Sequence, residues 1–244
     1  MGSKRTSLLR TLLGSAGTTN ESTRVAWIER ALSTVPSGSR TLDAGAGEQQ
    51  FRRFCSHLNY VSQDFASYEP KQEAGGLHPE SWEARNFDII SDITSIPEPD
   101  SAFDAVLCTE VLEHLPYPEL AIHEFSRLLA PGGILILTAP FCSLTHFAPY
   151  HFHTGFNRFF YEQVLDDAGF EVLEITGNGN YFEYVAQEIR RLPTVAERYV
   201  SKPPRLRALL SRALLLRHLQ KLSRRDTGSS ELLVYGFHIR ARRR

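Results

Sequence analysis

The sequence lacks long apolar runs and has few cysteines, and each absence excludes a class of protein. No run of about 18 or more apolar residues occurs in the 244-residue chain, so no membrane-spanning helix is expected. Three widely spaced cysteines, Cys55, Cys108 and Cys142, provide neither a disulfide framework nor a CxxC metal pair. A net charge of −1 gives no global basic field for nucleic acid. These features predict a cytoplasmic protein in a reducing compartment, without a nucleic-acid partner.

The charge that is present is unevenly distributed. Residues 202–225 carry eight Lys or Arg residues and no acid, and four of the last five residues are Arg. Residues 1–20 also lack acids and are predicted to form a mobile N-terminal segment. Their apolar stretches are too short for a secretory signal, whereas their Arg and Ser content leaves an organelle transit peptide open.

Strand and helix signals alternate along the chain, which favours βαβ units, a mostly parallel sheet and helices on both of its faces. Residues 66–85 are polar and without a strong period, so they are predicted to form a loop with Trp82 packed inward. The predicted helices are 22–35, 51–58, 118–129, 157–168, 181–192 and 205–222. The predicted strands are Thr41–Asp43, Asn59–Gln63, Phe87–Ser91, Phe103–Cys108, Ile134–Thr138, Phe170–Ile175 and Glu231–Ile239.

Glycines and acids follow the predicted strands at the edge where such sheets bind ligands. Asp43, Gly45 and Gly47 form the pattern D-x-G-x-G, although Gln50 stands where a dinucleotide fingerprint would have glycine. Asp64, at the end of the second strand, could accept hydrogen bonds from a ribose diol. Asp92 follows the third strand and could accept from an exocyclic amine. Each feature also has a purely structural interpretation: the glycine pattern as an ordinary turn, Asp64 as an acid at a strand end, and Asp92 as a helix cap or turn residue.

Five segments together resemble the class I S-adenosylmethionine-dependent methyltransferases, in a branch similar to enzymes encoded near glycan-assembly genes. These segments are LDAGAGEQ, SQDF, SDITSIPEPDSAFD, DAVLCTEVLEHL and LLAPGGILILTAP. The resemblance implies a Rossmann-like three-layer α/β sandwich whose seven-stranded sheet is mostly parallel, with the last strand antiparallel. It also implies a methyltransferase core over 21–180, a helical insertion over 181–230, and a final strand with a basic tail over 231–244.

The resemblance implies S-adenosyl-L-methionine as cofactor and one set of residues around it. Gln49 departs from the family, which often has glycine at that position. The implied contacts are Asp43, Gly45 and Gly47 at the methionine moiety, Asp64 at the ribose, Asp92 and Ile93 at adenine, and Thr109 and Glu110 closing the pocket.

The loop after the fifth strand contains four polar aromatic residues, His146, Tyr150, His151 and His153. Because this loop lies over the transferable methyl group in the family, His151 is predicted to be the catalytic base for a hydroxyl, with His153 as the second candidate. The alternative is that these residues only order the loop. No metal is expected, because Cys142 and the histidines lack a further well-placed ligand.

The predicted activity is O-methylation of a small molecule or saccharide acceptor. A cofactor-binding partner subunit without catalysis is the main alternative, and Gln50 disfavours a nicotinamide dehydrogenase. Residues 205–222 predict a basic amphipathic helix that either packs on the body or makes peripheral contact with anionic lipid. A calmodulin-like or nucleic-acid contact is the remaining interpretation of this helix.

Overall fold

The computed structural model describes residues 13–66, 86–200 and 206–244, with the side chains of 206–209 excepted. Most of the predicted lead-in, the loop from residue 67 to 85 and its Trp82 therefore lie outside the described residues. The chain divides into two compact units. We call Arg24–Thr176 with Gly236–Arg244 the sheet unit, and Met1–Thr23 with Gly177–Tyr235 the helical unit.

Seven strands and five α-helices are found in the described residues. The strands are β1 (Arg40–Ala44), β2 (Asn59–Asp64), β3 (Ile89–Ile90), β4 (Phe103–Thr109), β5 (Leu129–Pro140), β6 (Phe170–Asn178) and β7 (Gly236–Arg243). The helices are α1 (Asn20–Ser33), α2 (Pro118–Leu128), α3 (Arg158–Asp167), α4 (Tyr181–Tyr199) and α5 (Leu206–Ser223). None of these helices is long and apolar enough to cross a membrane.

The strands form one sheet in the order β3-β2-β1-β4-β5-β7-β6. β1 pairs in parallel with both β2 and β4, whereas β7 pairs antiparallel with β5. The predicted α/β sandwich, with a mostly parallel seven-stranded sheet and an antiparallel last strand, is therefore confirmed. The strand order reverses between β1 and β4, so a crevice is expected at their carboxyl ends.

Apolar residues of α1, β4 and β5 fill the core on one face of the sheet. Ile28 and Leu32, one turn apart on α1, are fully buried against Leu107 of β4 and Ile136 of β5. Burying a side chain of this size contributes about 1.5–3 kcal/mol. This core anchors the strands whose carboxyl ends carry the candidate site.

The structure corrects several predicted boundaries. Only one 3-10 turn, Arg52–Phe54, forms in the predicted helix 51–58, because the chain must enter β2 at Asn59. β3 is reduced to two residues, since the Asp88 carboxylate accepts from the Ser62 N–H at 2.8 Å, in place of a ladder bond.

The predicted starts of β5 and β7 are also wrong, again for local reasons. β5 begins at Leu129 and includes Pro131-Gly132-Gly133, which were predicted to end the preceding helix. Gly132 has a φ of +81°, and the register of the pairing between β4 and β5 shifts near this residue. β7 begins five residues later than predicted, because Ser229–Glu231 forms a 3-10 turn.

In the helical unit, α4 and α5 enclose a small core. Leu216 and Leu219 of α5 are buried with Ala186 of α4 and Ala16. These buried leucines lie in the helix that was predicted to be amphipathic, whereas Leu210 of the same helix is 61% exposed. The described part of the lead-in contacts α4, since the Gly17 N–H donates to Oε2 of Glu183 at 2.7 Å.

Candidate active site

The turn after β1 exposes bare backbone at the carboxyl edge of the sheet. Gly45 has a φ of +71°, a conformation that side-chain-bearing residues rarely adopt. A Cβ atom at Gly45 would lie 2.6 Å from Cγ2 of Val111, so no larger residue fits without a shift. The Gly45 N–H donates to the carbonyl oxygen of Gln63 at 2.9 Å, which ties the turn to the end of β2.

The end of β2 fixes a carboxylate beside this turn. Asp64 is buried, with Oδ2 accepting from the Gly47 N–H and Oδ1 from the Ala66 N–H, both at 3.0 Å. Two backbone donors thus orient the carboxylate that is predicted to hold the ribose. The neighbouring Gln63, which the sequence interpretation missed, donates from Nε2 to the Ser91 carbonyl at 2.7 Å and joins β2 to the turn after β3.

Asp43 lies behind the cavity rather than in its lining. Its carboxyl group is almost fully buried, and Oδ2 accepts from the Tyr60 hydroxyl at 2.6 Å. Burial raises the pKa of Asp43 to about 7, against the opposing hydrogen bond from Tyr60 and with a further contribution from the Asp64 charge. Asp43 is therefore a buried residue next to the turn, outside the cavity lining. Its contact with a methionine moiety stays a prediction.

The turn after β3 is stabilised by its own polar groups. Oδ1 of Asp92 accepts from both the N–H and the hydroxyl of Thr94, each at 2.8 Å. Ile93 is buried beside it. Farther along this segment, the Arg127 guanidinium donates to the carbonyl oxygen of Ile96 at 3.0 Å, so α2 holds the loop in place.

An ion pair closes the cavity after β4. Glu110 has a φ of 55°, and its Oε2 lies 2.8 Å from Nη1 of Arg24 on α1. Its Oε1 accepts from the Thr138 hydroxyl at 3.0 Å. Arg24 was missed by the sequence interpretation, because it lies far from Glu110 in the chain and in no recognised motif.

These turns form one wall of a cavity of about 900 Å³ at the carboxyl edge of the sheet. We call it the cofactor wall. Every predicted cofactor residue except Asp43 lines the cavity: Gly45, Gly47, Asp64, Asp92, Ile93, Thr109 and Glu110. The lining also includes His114, Phe147, Tyr150 and Phe152, which we call the acceptor wall because the loop after β5 is predicted to receive the acceptor. The volume is typical of a cavity for a cofactor-sized ligand.

Behind the acceptor wall lies a buried carboxyl between two imidazoles. Oε1 of Glu113 is 3.7 Å from Nε2 of His114 and 3.9 Å from Nε2 of His146. Oε2 of Glu113 has no hydrogen-bond partner among the described residues. Burial, with a smaller contribution from the Glu110 charge, raises the pKa of Glu113 well above its ordinary value. Burial therefore disfavours the ionised form of this carboxyl.

The two imidazoles are oriented by backbone carbonyls. Nδ1 of His114 lies 2.5 Å from the Tyr150 carbonyl oxygen, and Nδ1 of His146 lies 2.8 Å from that of Leu144. Each Nδ1 donates a hydrogen to its carbonyl, and in a neutral ring the lone pair is then on Nε2. Burial is the main reason that the pKa of His114 falls to about 4, so this ring is neutral at pH 7.

The same three residues also have the composition of a metal site. One ligand atom each from Glu113, His114 and His146 lies within 4.8 Å of the others. The carbonyl bonds to Nδ1 are of the kind that orient metal-ligating histidines. The sequence interpretation considered His146 for a metal together with Cys142, His151 and His153, but it did not include Glu113 or His114.

The two predicted catalytic histidines do not line the cavity. Nε2 of His151 is 3.1 Å from the Ser143 hydroxyl, and Nε2 of His153 is 3.4 Å from the Pro116 carbonyl. The carbonyl of Glu113 accepts from the N–H of His153 at 3.1 Å, which fixes the loop to the segment after β4. Their catalytic role stays a prediction, but the cavity geometry favours His114.

Comparison with known proteins identifies the sheet unit. Residues 20–175, more than half of the chain, match the methyltransferase domain family. The chain belongs to this methyltransferase domain family. The resemblance to class I enzymes is thereby confirmed, whereas the relation to glycan-assembly enzymes stays a prediction.

Two curated relatives resemble this methyltransferase-family chain over part of its length. Demethylmenaquinone methyltransferase from Chlamydia trachomatis is 33% identical over 108 residues, covering 43% of each chain. Ubiquinone biosynthesis O-methyltransferase from Xanthomonas axonopodis pv. citri is 32% identical over 104 residues, covering 42% of this chain and 44% of the relative. The chain thus spans less than half the length of these relatives.

A solved structure matches the fold over a longer range. A SAM dependent methyltransferase from Archaeoglobus fulgidus has a TM-score of 0.54 at 15% identity, covering 91% of this chain and 94% of that one. At this identity the likeness shows the fold alone.

S-adenosyl-L-methionine is the cofactor of the methyltransferase family, and the cofactor prediction is confirmed. The residues present suit this cofactor. The Asp64 carboxylate is held by two backbone donors and suits a ribose diol, and the bare backbone at Gly45 permits close approach of a ligand. The cationic sulfonium also suits a cavity with carboxylates in its lining.

Proposed function

We propose that this protein is an S-adenosylmethionine-dependent methyltransferase that methylates a hydroxyl group of a small molecule or saccharide. Family membership and the cavity at the carboxyl edge of the sheet support methyl transfer. The observation that carries the proposal is the pairing of two walls around one cavity, one made of glycine turns and acids, the other of aromatic rings and a neutral imidazole. The name of the ubiquinone biosynthesis relative supports oxygen as the methylated atom.

In this proposal the cofactor wall holds the methyl donor. Asp64 binds the ribose hydroxyls, Asp92 and Ile93 contact the adenine, and the backbone from Gly45 to Gly47 approaches the methionine moiety. The Arg24–Glu110 ion pair closes this end of the cavity. When bound, the cofactor supplies an electrophilic methyl group, and the wall's contribution is positioning.

The acceptor wall receives the hydroxyl. Rings of Phe147, Tyr150 and Phe152 provide flat apolar surface for a sugar or aromatic ring and exclude water. Nε2 of His114 carries a lone pair in the neutral ring and accepts the hydroxyl proton as the oxygen is methylated. Glu113, whose Oε1 lies 3.7 Å from Nε2, positions the ring and is the next group that can exchange a proton with it.

The decisive experiment is incubation of the protein with S-adenosyl-L-methionine and a panel of hydroxylated aromatic compounds and saccharides. Mass spectrometry should detect a product heavier by one methyl group in place of a hydrogen. Activity with amine acceptors alone would contradict O-methylation. Chelator treatment belongs in the same assay: loss of activity that Zn²⁺ restores would show that Glu113, His114 and His146 hold a metal instead of exchanging a proton.

The competing proposal is a cofactor-binding partner subunit without catalysis. Thermal-shift measurement with S-adenosylhomocysteine separates the two proposals from a misassigned cavity. Stabilisation by this ligand, without turnover on any acceptor class, would favour the partner role. Stabilisation by NADH alone would overturn both proposals.

A further inference from the structure

The helical unit contains a second cavity, which is lined by cations and has no carboxylate in its described lining. Its volume is about 640 Å³. We call it the basic pocket. The lining residues come from the segment before α1, from α4, and from α5 and the residue after it: Gly14, Ser15, Thr18, Arg190, Arg217, Gln220, Lys221 and Arg224.

Two of the four cations come from α5, and a third, Arg224, directly follows its last residue. Arg217 and Lys221 are four residues apart, so their side chains lie on the same side of the helix. Arg224 continues this spacing in the turn after the helix, where its N–H donates to the Gln220 carbonyl at 3.2 Å. All three are exposed, and none forms an ion pair with a described residue. Three like charges at this spacing repel one another, so an anion that bridges them is favoured over water alone.

The fourth cation is held in place by carbonyl oxygens and forms no ion pair with a described carboxylate. Nε of Arg190 donates to the Ala16 carbonyl at 2.6 Å, and Nη2 donates to the carbonyls of Gly14 at 2.7 Å and Leu13 at 3.1 Å. A guanidinium has five donors in a fixed plane, and Nη1 makes no hydrogen bond to a described residue. Arg190 is thus a charge fixed at the pocket before any ligand arrives.

Three carboxylates elsewhere in the helical unit have other partners. Glu183 accepts from the Gly17 N–H and from the Ser223 hydroxyl, and Glu188 pairs with Arg191. Asp226 accepts from the Ser229 N–H. None of these three acids lies in the described lining of the pocket.

The wall opposite α5 is fixed by a reciprocal pair of hydrogen bonds. Oε1 of Gln220 accepts from the Ser15 N–H, and its Nε2 donates to the Ser15 hydroxyl oxygen, both at 3.1 Å. The Thr18 hydroxyl lies at the same wall and donates to the Ser15 carbonyl at 2.7 Å. The segment that closes the pocket is therefore tied to the helix that supplies the cations.

We propose that the basic pocket binds a phosphate-bearing anion with at least two negative charges. Arg side chains match phosphate oxygens with paired donors, and Lys contributes a mobile point charge. The volume exceeds that needed for a single small ion and lies in the range of organic ligands, so the phosphate carries a further group or is a diphosphate. This site is independent of the methyl-transfer proposal, which uses none of its residues.

This chemistry has two sources, a free diphosphate compound and the headgroup of an anionic phospholipid. Leu210 and Leu214 are 61% and 70% exposed and precede Arg217 on the same face of α5. Such apolar residues beside the cations suit acyl chains, which is consistent with the lipid source. The experiment therefore includes one arm for each source.

Titration calorimetry of the full chain with pyrophosphate tests the free source, and flotation with phosphatidic acid or phosphatidylcholine vesicles tests the lipid source. The pocket variant carries Arg217→Gln and Lys221→Gln, both exposed positions. The control carries Arg225→Gln and Arg191→Gln, which remove the same charge from the same unit outside the pocket lining. Thermal unfolding with S-adenosylhomocysteine confirms that each variant is folded.

We expect the pocket variant to weaken binding at least tenfold in one arm, because each charge-assisted hydrogen bond contributes about a tenfold factor or more. The control should remain within about threefold of the unchanged protein. Pyrophosphate binding without a preference for phosphatidic acid identifies a free ligand, and the reverse identifies a lipid headgroup. Equal losses in the two variants, or no binding in either arm, would overturn the proposal.

Discussion

The cofactor wall and the acceptor wall of the cavity are built in different ways. On the cofactor wall, backbone N–H groups at Gly45 and Gly47 bond to Gln63 and Asp64, the last residues of the adjacent strand. On the acceptor wall, the loop is tied through the carbonyl of Glu113 and the ring of His114. The first wall is thus a product of strand pairing, whereas the second depends on side chains that meet across long stretches of chain.

The two walls also differ in their polar groups, which suits the cofactor wall to positioning a ligand and the acceptor wall to proton transfer. On the cofactor wall, the Asp64 carboxylate is held by two backbone donors, although Nε of Arg24 is buried without a partner among the described residues. The acceptor wall has behind it a neutral imidazole and a buried carboxyl oxygen without a partner among the described residues. A carboxyl and an imidazole can exchange protons, whereas a guanidinium stays charged, so a proton is expected to move at the acceptor wall.

The largest effect is expected from His114→Gln. Loss of a general base typically lowers turnover by about 10²–10⁴-fold, while affinity for S-adenosylhomocysteine should change by less than about threefold. His151→Gln is the matched comparison, because this ring lies in the same loop cluster but bonds to Ser143. Single-turnover kinetics with an identified acceptor measures both variants. A large loss in His151→Gln with little change in His114→Gln would restore the sequence prediction.

Gly45→Ala should damage the cofactor wall through sterics. The new Cβ meets Val111 at 2.6 Å in a backbone conformation unfavourable to alanine, so we expect stability to fall by about 2 kcal/mol or more and cofactor affinity by at least about tenfold. Gly132→Ala is the control, since its φ of +81° is similar but nothing lies within 4 Å of the added atom. Chemical denaturation and calorimetry compare them, and equal losses would show that backbone strain alone is responsible.

Asp64→Asn tests the ribose assignment with less disturbance of the fold. Losing charge-assisted hydrogen bonds to two hydroxyls should weaken binding of S-adenosylhomocysteine about tenfold. Asp88→Asn provides the comparison, because Asp88 also accepts from the backbone of β2 but does not line the cavity. Calorimetry that finds the two variants equal would remove Asp64 from the ribose site.

The smallest effect concerns the sheet beneath both walls. His238 of β7 is stacked on Trp27 at 4.9 Å, and burial, with a contribution from Arg24, lowers its pKa to about 4. Because the unfolded value is about 6.5, the unfolded chain binds more protons between these values, and stability falls as the pH drops through this range. His238→Phe keeps an aromatic ring stacked on Trp27 and removes the titrating group. When the pH falls from about 7 to 5.5, the unfolding free energy of the unchanged protein should decrease by about 1 kcal/mol more than that of the variant. His114 titrates in both proteins and cancels; equal pH dependence would contradict the assignment.

Much of the fold and the cofactor wall could be predicted, because they depend on local patterns. Apolar runs and glycine turns mark β1, β4 and β5, and a glycine follows β1 and an acid follows β4 at the edge where ligands bind. Edge elements were harder, since Asp88 replaces a ladder bond at β3 and a 3-10 turn delays β7. Neither effect has a periodic signal in the sequence.

The sequence by itself determined the α/β class and the mostly parallel sheet, because strand periodicity and turn chemistry act over a few neighbouring residues. Its resemblance to the methyltransferases indicated which residues are available to the cofactor. Only the tertiary structure decided which side chains share a wall. It placed Arg24 against Glu110, put Asp43 behind the cavity, and brought His114 to the lining in place of His151. The physical reason is that burial, pKa and ion pairing depend on all groups within a few ångströms, and those groups come from distant parts of the chain.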